Sequence, residues 1–226
     1  MISELRHISK YYEQPGSGIR TQVLDDISLI IPENESIAIT GPSGSGKSTL
    51  LNILGTLDQP TSGKVILDGQ DVESLDPDRI ASLRNRFTGF VFQLHHLLPQ
   101  LNLLENVLLP VLPQKDKSLQ KAAVVRAKLL LNRVGLDERL RHYPVQMSVG
   151  ECQRAALVRA LINQPRLLLA DEPTGSLDAV NANLLGELLT ELKSEQHFSL
   201  VIVTHSPDLA ARMDKTYRLM SGKLMI

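Results

Sequence analysis

Cysteine, an excess of charge of either sign and long apolar runs are what this chain lacks. Cys152 is the only cysteine in 226 residues, which excludes an internal disulfide and fits a reducing compartment. Lys and Arg number 24 against 25 Asp and Glu. A formal charge of −1 projects no long-range field towards a nucleic acid backbone or an anionic membrane surface, and no nucleic acid partner is expected. The most apolar region, LHHLLPQLNLLENVLLPVLP, is broken by His, Pro, Asn and Glu and is not a membrane span. The start, MISELRHISKYY, has no apolar core of a secretory signal. The chain is expected in the cytoplasm, and any membrane must come through a partner. Internal repeats, heptad runs and low-complexity segments are also missing, which removes solenoid and fibrous folds.

What is present is an alternation of short apolar runs with helical stretches. With 42% hydrophobic residues the chain can bury a sizeable core, as one large domain carrying an inserted lobe. ESIAIT at 35–40, RLLLAD at 166–171 and SLVIVT at 199–204 are aliphatic runs of the kind buried on both faces of a parallel sheet. Each leads into a polar or glycine-rich turn. The order predicts a three-layer α/β core, mainly parallel, with its site at the carboxyl ends of the strands. Stretches near 21–33 and 63–68 read as extra, antiparallel strands. The core and this antiparallel subdomain are assigned to about 1–76 and 164–226. An inserted helical lobe is assigned to roughly 77–163, including SLQKAAVVRAKLLLNRVG with its helical spacing of apolar residues.

GPSGSGKST at 41–49 has the spacing G-x-x-x-x-G-K-[ST], directly after a predicted strand and before the helix-like TLLNILG. Gly41, Gly44 and Gly46 let the backbone turn tightly, so that N–H groups of the loop, with Pro42, Ser43, Ser45 and Thr49 in it, face phosphate oxygens at a helix N-terminus. Lys47 is expected at the β- and γ-phosphates and Ser48 on Mg²⁺. Such a loop serves a small-molecule kinase as readily as a hydrolase. LLLADEPTGSLD at 167–178 begins to separate them. Asp171 ends a buried apolar strand, where a lone carboxylate is costly, so it calls for a cation near Ser48. Glu172 follows as a second carboxylate able to polarise water. His205 ends another apolar strand. Gln93, after GFVF, can place an amide on Mg²⁺ or water.

Taken in order, these motifs, with MSVGECQRAALVRAL between Gln93 and Asp171, resemble the ATPase subunit of an ABC transporter over nearly the whole chain. The resemblance implies a P-loop fold with a RecA-like core and ATP with Mg²⁺ as its ligands. It implies Glu172, His205 and Gln93 in catalysis, and Ser48, Gln93 and Asp171 at the metal. Tyr12 would stack on adenine, with Tyr11 a neighbouring candidate. In that family two ATPase domains pack head to tail, so Ser148 and Gly150 of the signature, and Asp178, would serve nucleotide at the interface. Integral membrane subunits and a second ATPase chain, preferably another copy, are the implied partners at the cytoplasmic face of the membrane. LNILGTLDQPTSGKV, FQLHHLLPQLNLLENV and LADEPTGSLD resemble the lipoprotein-releasing and MacB-like branch. Leu97, Leu98 and Leu101 are then the expected docking surface for the membrane partner. Val149 replaces the first glycine of the family's serine-glycine-glycine signature. The alternatives are a guanylate-like nucleotide kinase, which leaves Glu172, Gln93 and the signature without a role, and a soluble ABC protein of translation or DNA repair.

Overall fold

The computed structural model describes all residues except 14, 15, 17, 19 and 226. In chain order its elements are strands β1 (Ser3–Glu13), β2 (Arg20–Ile31) and β3 (Ser36–Thr40), helix α1 (Lys47–Leu54), strands β4 (Ser62–Leu67) and β5 (Gln70–Asp71), helix α2 (Pro77–Phe87) and strand β6 (Thr88–Val91). Helices α3 (Leu103–Leu108), α4 (Lys117–Arg133) and α5 (Val149–Leu161) follow, then β7 (Leu167–Asp171), α6 (Ala179–Gln196), β8 (Ser199–Val203), the single turn α7 (Pro207–Ala210), β9 (Lys215–Met220) and β10 (Lys223–Met225).

The central sheet has the order β10-β9-β3-β8-β7-β6, parallel except where β10 folds back on β9. Side chains alternate along its inner strands. Leu167, Leu169, Val201 and Val203 enter one core with Leu50, Leu51 and Ile53 of α1, while Leu168, Ala170, Leu200 and Ile202 enter another with α5 and α6. Both faces are therefore covered, which is why these strands are unbroken aliphatic runs rather than alternating ones. The second sheet, β2-β1-β4-β5, is antiparallel. It closes the α1 side of the core with Leu5, Ile8, Leu24 and Val65. The antiparallel stretches expected near 21–33 and 63–68 are β2 and β4. β1 is not legible in the sequence because shifts in its pairing with β2 break the inward–outward alternation of its side chains.

One boundary needs correction. The region 77–163 was expected to be a helical lobe, yet β6 lies within it and pairs in parallel with β7 as the edge of the central sheet. The apolar run GFVF before Gln93 is strand-like in the sequence, but four residues alone do not show which sheet they join. The helical excursion from the sheet begins beyond β6 and carries α3, α4 and α5.

Candidate functional site

Four strand ends converge on one cleft. In the order β3, β8, β7, β6 these neighbours end at Thr40, Val203, Asp171 and Val91, so the residues just beyond them meet although they are far apart in sequence. The cleft, about 540 Å³, is lined by Ser43, Gly44, Gly46, Lys47, Ser48, Thr49, Gln93, Glu172 and His205, with Val23 as its apolar wall. Val23 was not anticipated. It comes from the antiparallel sheet, and nothing in its local sequence marks it.

The loop between β3 and α1 has the shape its glycines allow. Gly46 sits at φ 99°, and a Cβ there would lie 2.8 Å from the Val23 carbonyl oxygen, so both conformation and space demand glycine. Lys47 is buried, and its ammonium donates to the carbonyls of Gly41 and Pro42 at 3.0 Å each. Ser45 Oγ is buried with no hydrogen-bond partner among the described residues. A sheltered hydroxyl, a buried ammonium and a helix N-terminus in one loop suit an anion with several acceptor oxygens.

Ser48 donates to Asp171 Oδ1 at 3.1 Å. Burial pushes the Asp171 carboxyl above the usual carboxylate range; the Ser48 hydrogen bond opposes this, while Glu172 adds to it. A cation relieves both the burial and the repulsion. No group of three or more His, Cys, Asp or Glu side chains gathers around a metal position among the described residues. The oxygen donors Ser48 and Asp171, hydrogen-bonded to each other, with the Gln93 amide on the same cleft, suit a hard cation that keeps water and phosphate oxygens in its shell.

Glu172 stands at φ 46°, a left-handed backbone unusual for a non-glycine residue. Its N–H nevertheless donates to the Val203 carbonyl at 2.9 Å, so the sheet holds the strained residue in place. Its Oε2 is 2.8 Å from His205 Nδ1 and accepts from the His205 backbone N–H at 3.2 Å. Gln93 is packed against the turn that follows: Ser176 donates to its backbone carbonyl at 3.1 Å.

The remaining sequence candidates lie outside this cleft. Tyr12 is half exposed on β1, its hydroxyl donating to Asp58 Oδ2 at 2.8 Å. Ser148 caps α5, accepting from the Glu151 N–H at 3.2 Å while Glu151 accepts from the Ser148 N–H at 2.8 Å. Asp178 caps α6 through the N–H groups of Val180 and Asn181, both at 3.0 Å. Ser148, Gly150 and Asp178 do not line the cleft of their own chain.

A second groove, about 1110 Å³, lies between α2, β6 and the segment after Gln93; Leu57, Arg84, Phe90, Phe92, His96 and Pro113 are among its walls. The docking expectation for Leu97 is corrected here: it is 6% exposed and packs into the core shared by the helical lobe, whereas Leu94 and Leu98 are 64% and 45% exposed. Asn106, fully buried, accepts from the Leu98 N–H and donates to the carbonyls of Leu98, Leu101 and Asn102. That hub turns Leu97 inward and Leu98 outward.

The ABC transporter family model matches residues 24–175. The chain is 47% identical over 227 residues to the lipoprotein-releasing system ATP-binding protein LolD of Shewanella oneidensis, covering 100% of this chain and 96% of that protein. It is 48% identical over 219 residues to the LolD of Bordetella avium, covering 97% and 94%. Among solved structures it superposes on dimeric MJ0796, a bacterial ABC transporter cassette, with a TM-score of 0.88 at 37% identity, covering 98% of this chain and 95% of that one. The post-hydrolysis MJ0796 dimer bound to ADP and Pi gives 0.86 at 35%, with the same coverage.

Proposed function

Because the chain belongs to the ABC transporter family of ATP-binding subunits, and is by that membership an ATP hydrolase, we propose that two copies clamp ATP and Mg²⁺ between them and drive a membrane complex that releases lipoproteins. Both LolD relatives are aligned nearly end to end, which supports the lipoprotein-releasing branch. No helix among the described residues is long and apolar enough to cross a membrane. On this reading, separate membrane subunits hold the chain at the cytoplasmic face.

The observation that carries the chemistry is the Glu172–His205 pair facing Lys47 and Ser48 across one cleft. Lys47 and the loop N–H groups hold the β- and γ-phosphates. Ser48, Asp171 and Gln93 would hold Mg²⁺, which when bound would supply positive charge to the phosphates. Both His205 contacts fall on Oε2 of Glu172, which leaves Oε1 to orient the attacking water. The water oxygen bonds to the γ-phosphorus as the β–γ bridge opens, with ADP and phosphate as products. Ser148 and Gly150 reach the γ-phosphate from the opposing copy, since they do not line their own cleft. The dimeric state of the structural relatives supports this arrangement.

Coupling to the membrane runs along α5. Ser148 caps its N-terminus, and near its other end Arg159 donates to the carbonyls of His95 and His96 in the groove wall, each at 2.7 Å. A helix of 13 residues is a rigid rod of about 20 Å, so a partner segment seated in the groove displaces the signature directly. The nucleotide-kinase alternative accounts for neither this helix nor the Glu172–His205 pair and is not favoured.

Glu172→Gln is the test. It is expected to retain ATP binding, lose at least about 100-fold in hydrolysis and accumulate as an ATP-bound dimer in size-exclusion chromatography, whereas Lys47→Ala weakens ATP binding itself. Parental hydrolysis by Glu172→Gln would remove Glu172 from its role.

A further inference from the structure

Tyr12 is half exposed on β1, where an untethered ring would move among rotamers. Instead it is the exposed member of a sheltered polar cluster. Asp58 accepts from the Tyr12 hydroxyl at 2.8 Å on one oxygen and from the Lys10 ammonium at 2.7 Å on the other. Lys10 also donates to the Gln59 carbonyl at 2.6 Å, and its nitrogen lies 5.0 Å from the Tyr12 ring centroid, as a cation against the π-face. The side chains of Lys10 and Asp58 are 12% and 30% exposed, so the tether is largely shielded while much of the ring stays open. Burial alone would raise the Asp58 carboxyl, but the hydrogen bonds from Lys10, Tyr12 and the Gln59 N–H outweigh it and hold it below the usual carboxylate range.

Asp58 belongs to the body that carries the phosphate loop. It lies in the turn that ends α1, where the N–H groups of Leu57 and Asp58 both donate to the Asn52 carbonyl, at 2.8 and 3.2 Å. The phosphate cradle is at the other end of that helix, and Thr49 of its first turn lies beside the Tyr12 hydroxyl. One short rigid helix therefore fixes the phosphate cradle and, through Asp58, an aromatic ring that belongs to a different sheet.

We propose that Asp58, supported by Lys10, is a positioning residue that presets the Tyr12 ring as the stacking surface for the nucleobase, at a fixed place relative to the phosphate loop. The proposal rests on the assignment of Tyr12 to the base. A ring already held in place loses little rotamer entropy when the base arrives. Asp58 itself touches no part of the nucleotide; it acts through Tyr12 and therefore affects base recognition and not phosphate recognition.

Titration calorimetry of the full chain with Mg·ATP and with Mg·tripolyphosphate, which has the phosphates without a base, tests this. Tyr12→Ala and Asp58→Ala are each expected to weaken ATP about five- to tenfold, the low end of base–aromatic stacking, with tripolyphosphate changed less than about twofold. Tyr12→Ala/Asp58→Ala is expected to bind ATP no more weakly than Tyr12→Ala alone, and the loss in Asp58→Ala should fall on KM rather than kcat. Asp58→Asn, which keeps an acceptor for the hydroxyl, should recover part of the affinity. Equal weakening of both ligands by Asp58→Ala would mean that Asp58 supports α1 instead, and would overturn the proposal. So would an unaffected Asp58→Ala beside an impaired Tyr12→Ala. An unaffected Tyr12→Ala would remove the base assignment, and the proposal with it.

Discussion

The two neighbouring positions 149 and 150 in the signature are under opposite demands. A Cβ at Gly150 would lie 2.6 Å from Asn181 Oδ1, and Asn181 is itself tied to Asp178 by a 2.6 Å side-chain bond, so a side chain there would have to displace the Asn181 amide from that bond. Val149, at the first position of α5, is 54% exposed and meets no such limit. The capping box has formed despite the valine, so the cost of Val149 falls on the face offered to a second copy and not on the fold. In the proposed dimer a branched side chain there would hold the helix N-terminus away from phosphate. Val149→Gly is expected to raise kcat by up to about tenfold, equivalent to about 1.4 kcal/mol of transition-state stabilisation, while costing up to about 1 kcal/mol of stability from the added glycine. ATPase rates at saturating ATP decide it: equal rates would make the valine neutral, and a slower glycine variant would refute the steric account.

Among the elements, β3 launches the phosphate loop, and its start is fixed by a residue distant in sequence. Asp214, just before β9, accepts from the Ser36 N–H at 2.8 Å, from the Ser36 hydroxyl at 2.6 Å and from Lys193 of α6 at 2.9 Å. These contacts, the Ser36 hydroxyl foremost, hold its carboxyl at about 2, against an ordinary value of about 3.9. A depressed carboxylate stabilises the fold above the unfolded value, and that contribution disappears as pH falls through the folded value. Asp214→Asn is therefore expected to lower stability at pH 7 by about 1 kcal/mol, a figure discounted from charged hydrogen bonds because the side chain is half exposed. The gap between the two urea midpoints should be constant from pH 7 to 5 and narrow below about pH 4. A gap that persists undiminished to about pH 3 would separate the stabilisation from the Asp214 charge.

On the scale of the whole molecule, the nucleotide cleft and the groove proposed for the partner are separate, and α5 runs from that groove to the signature. Leu94 and Leu98, on either side in sequence of the groove residue His96, are exposed while Leu97 is packed inside. Leu98→Glu is expected to reduce recovery of the membrane complex at least about tenfold, as loss of an apolar anchor does, with the ATPase of the isolated chain unchanged. Leu97→Glu places a charge in the core and is expected to unfold the lobe. Co-purification from detergent extract, with a melting curve for each variant, distinguishes the two. A Leu98→Glu chain that still co-purifies fully would move the docking surface elsewhere.

Glycine spacing, the carboxylate pair that ends RLLLADE and the aliphatic runs were enough in the sequence to fix the α/β class, the phosphate loop and the identity of Lys47, Ser48, Asp171 and Glu172 as candidates, because each depends on near neighbours along one strand–turn–helix unit. His205 and Gln93 were legible only as members of an ordered series; the strand order β3-β8-β7-β6 brings them together. Tertiary structure alone decided the rest. The sheet claimed β6 from the helical region, Asn106 turned Leu97 inward, Val23 became a wall of the cleft, and Asp58 reached Tyr12 across 46 residues. Each of these depends on pairing or contact between distant segments, which local periodicity does not encode.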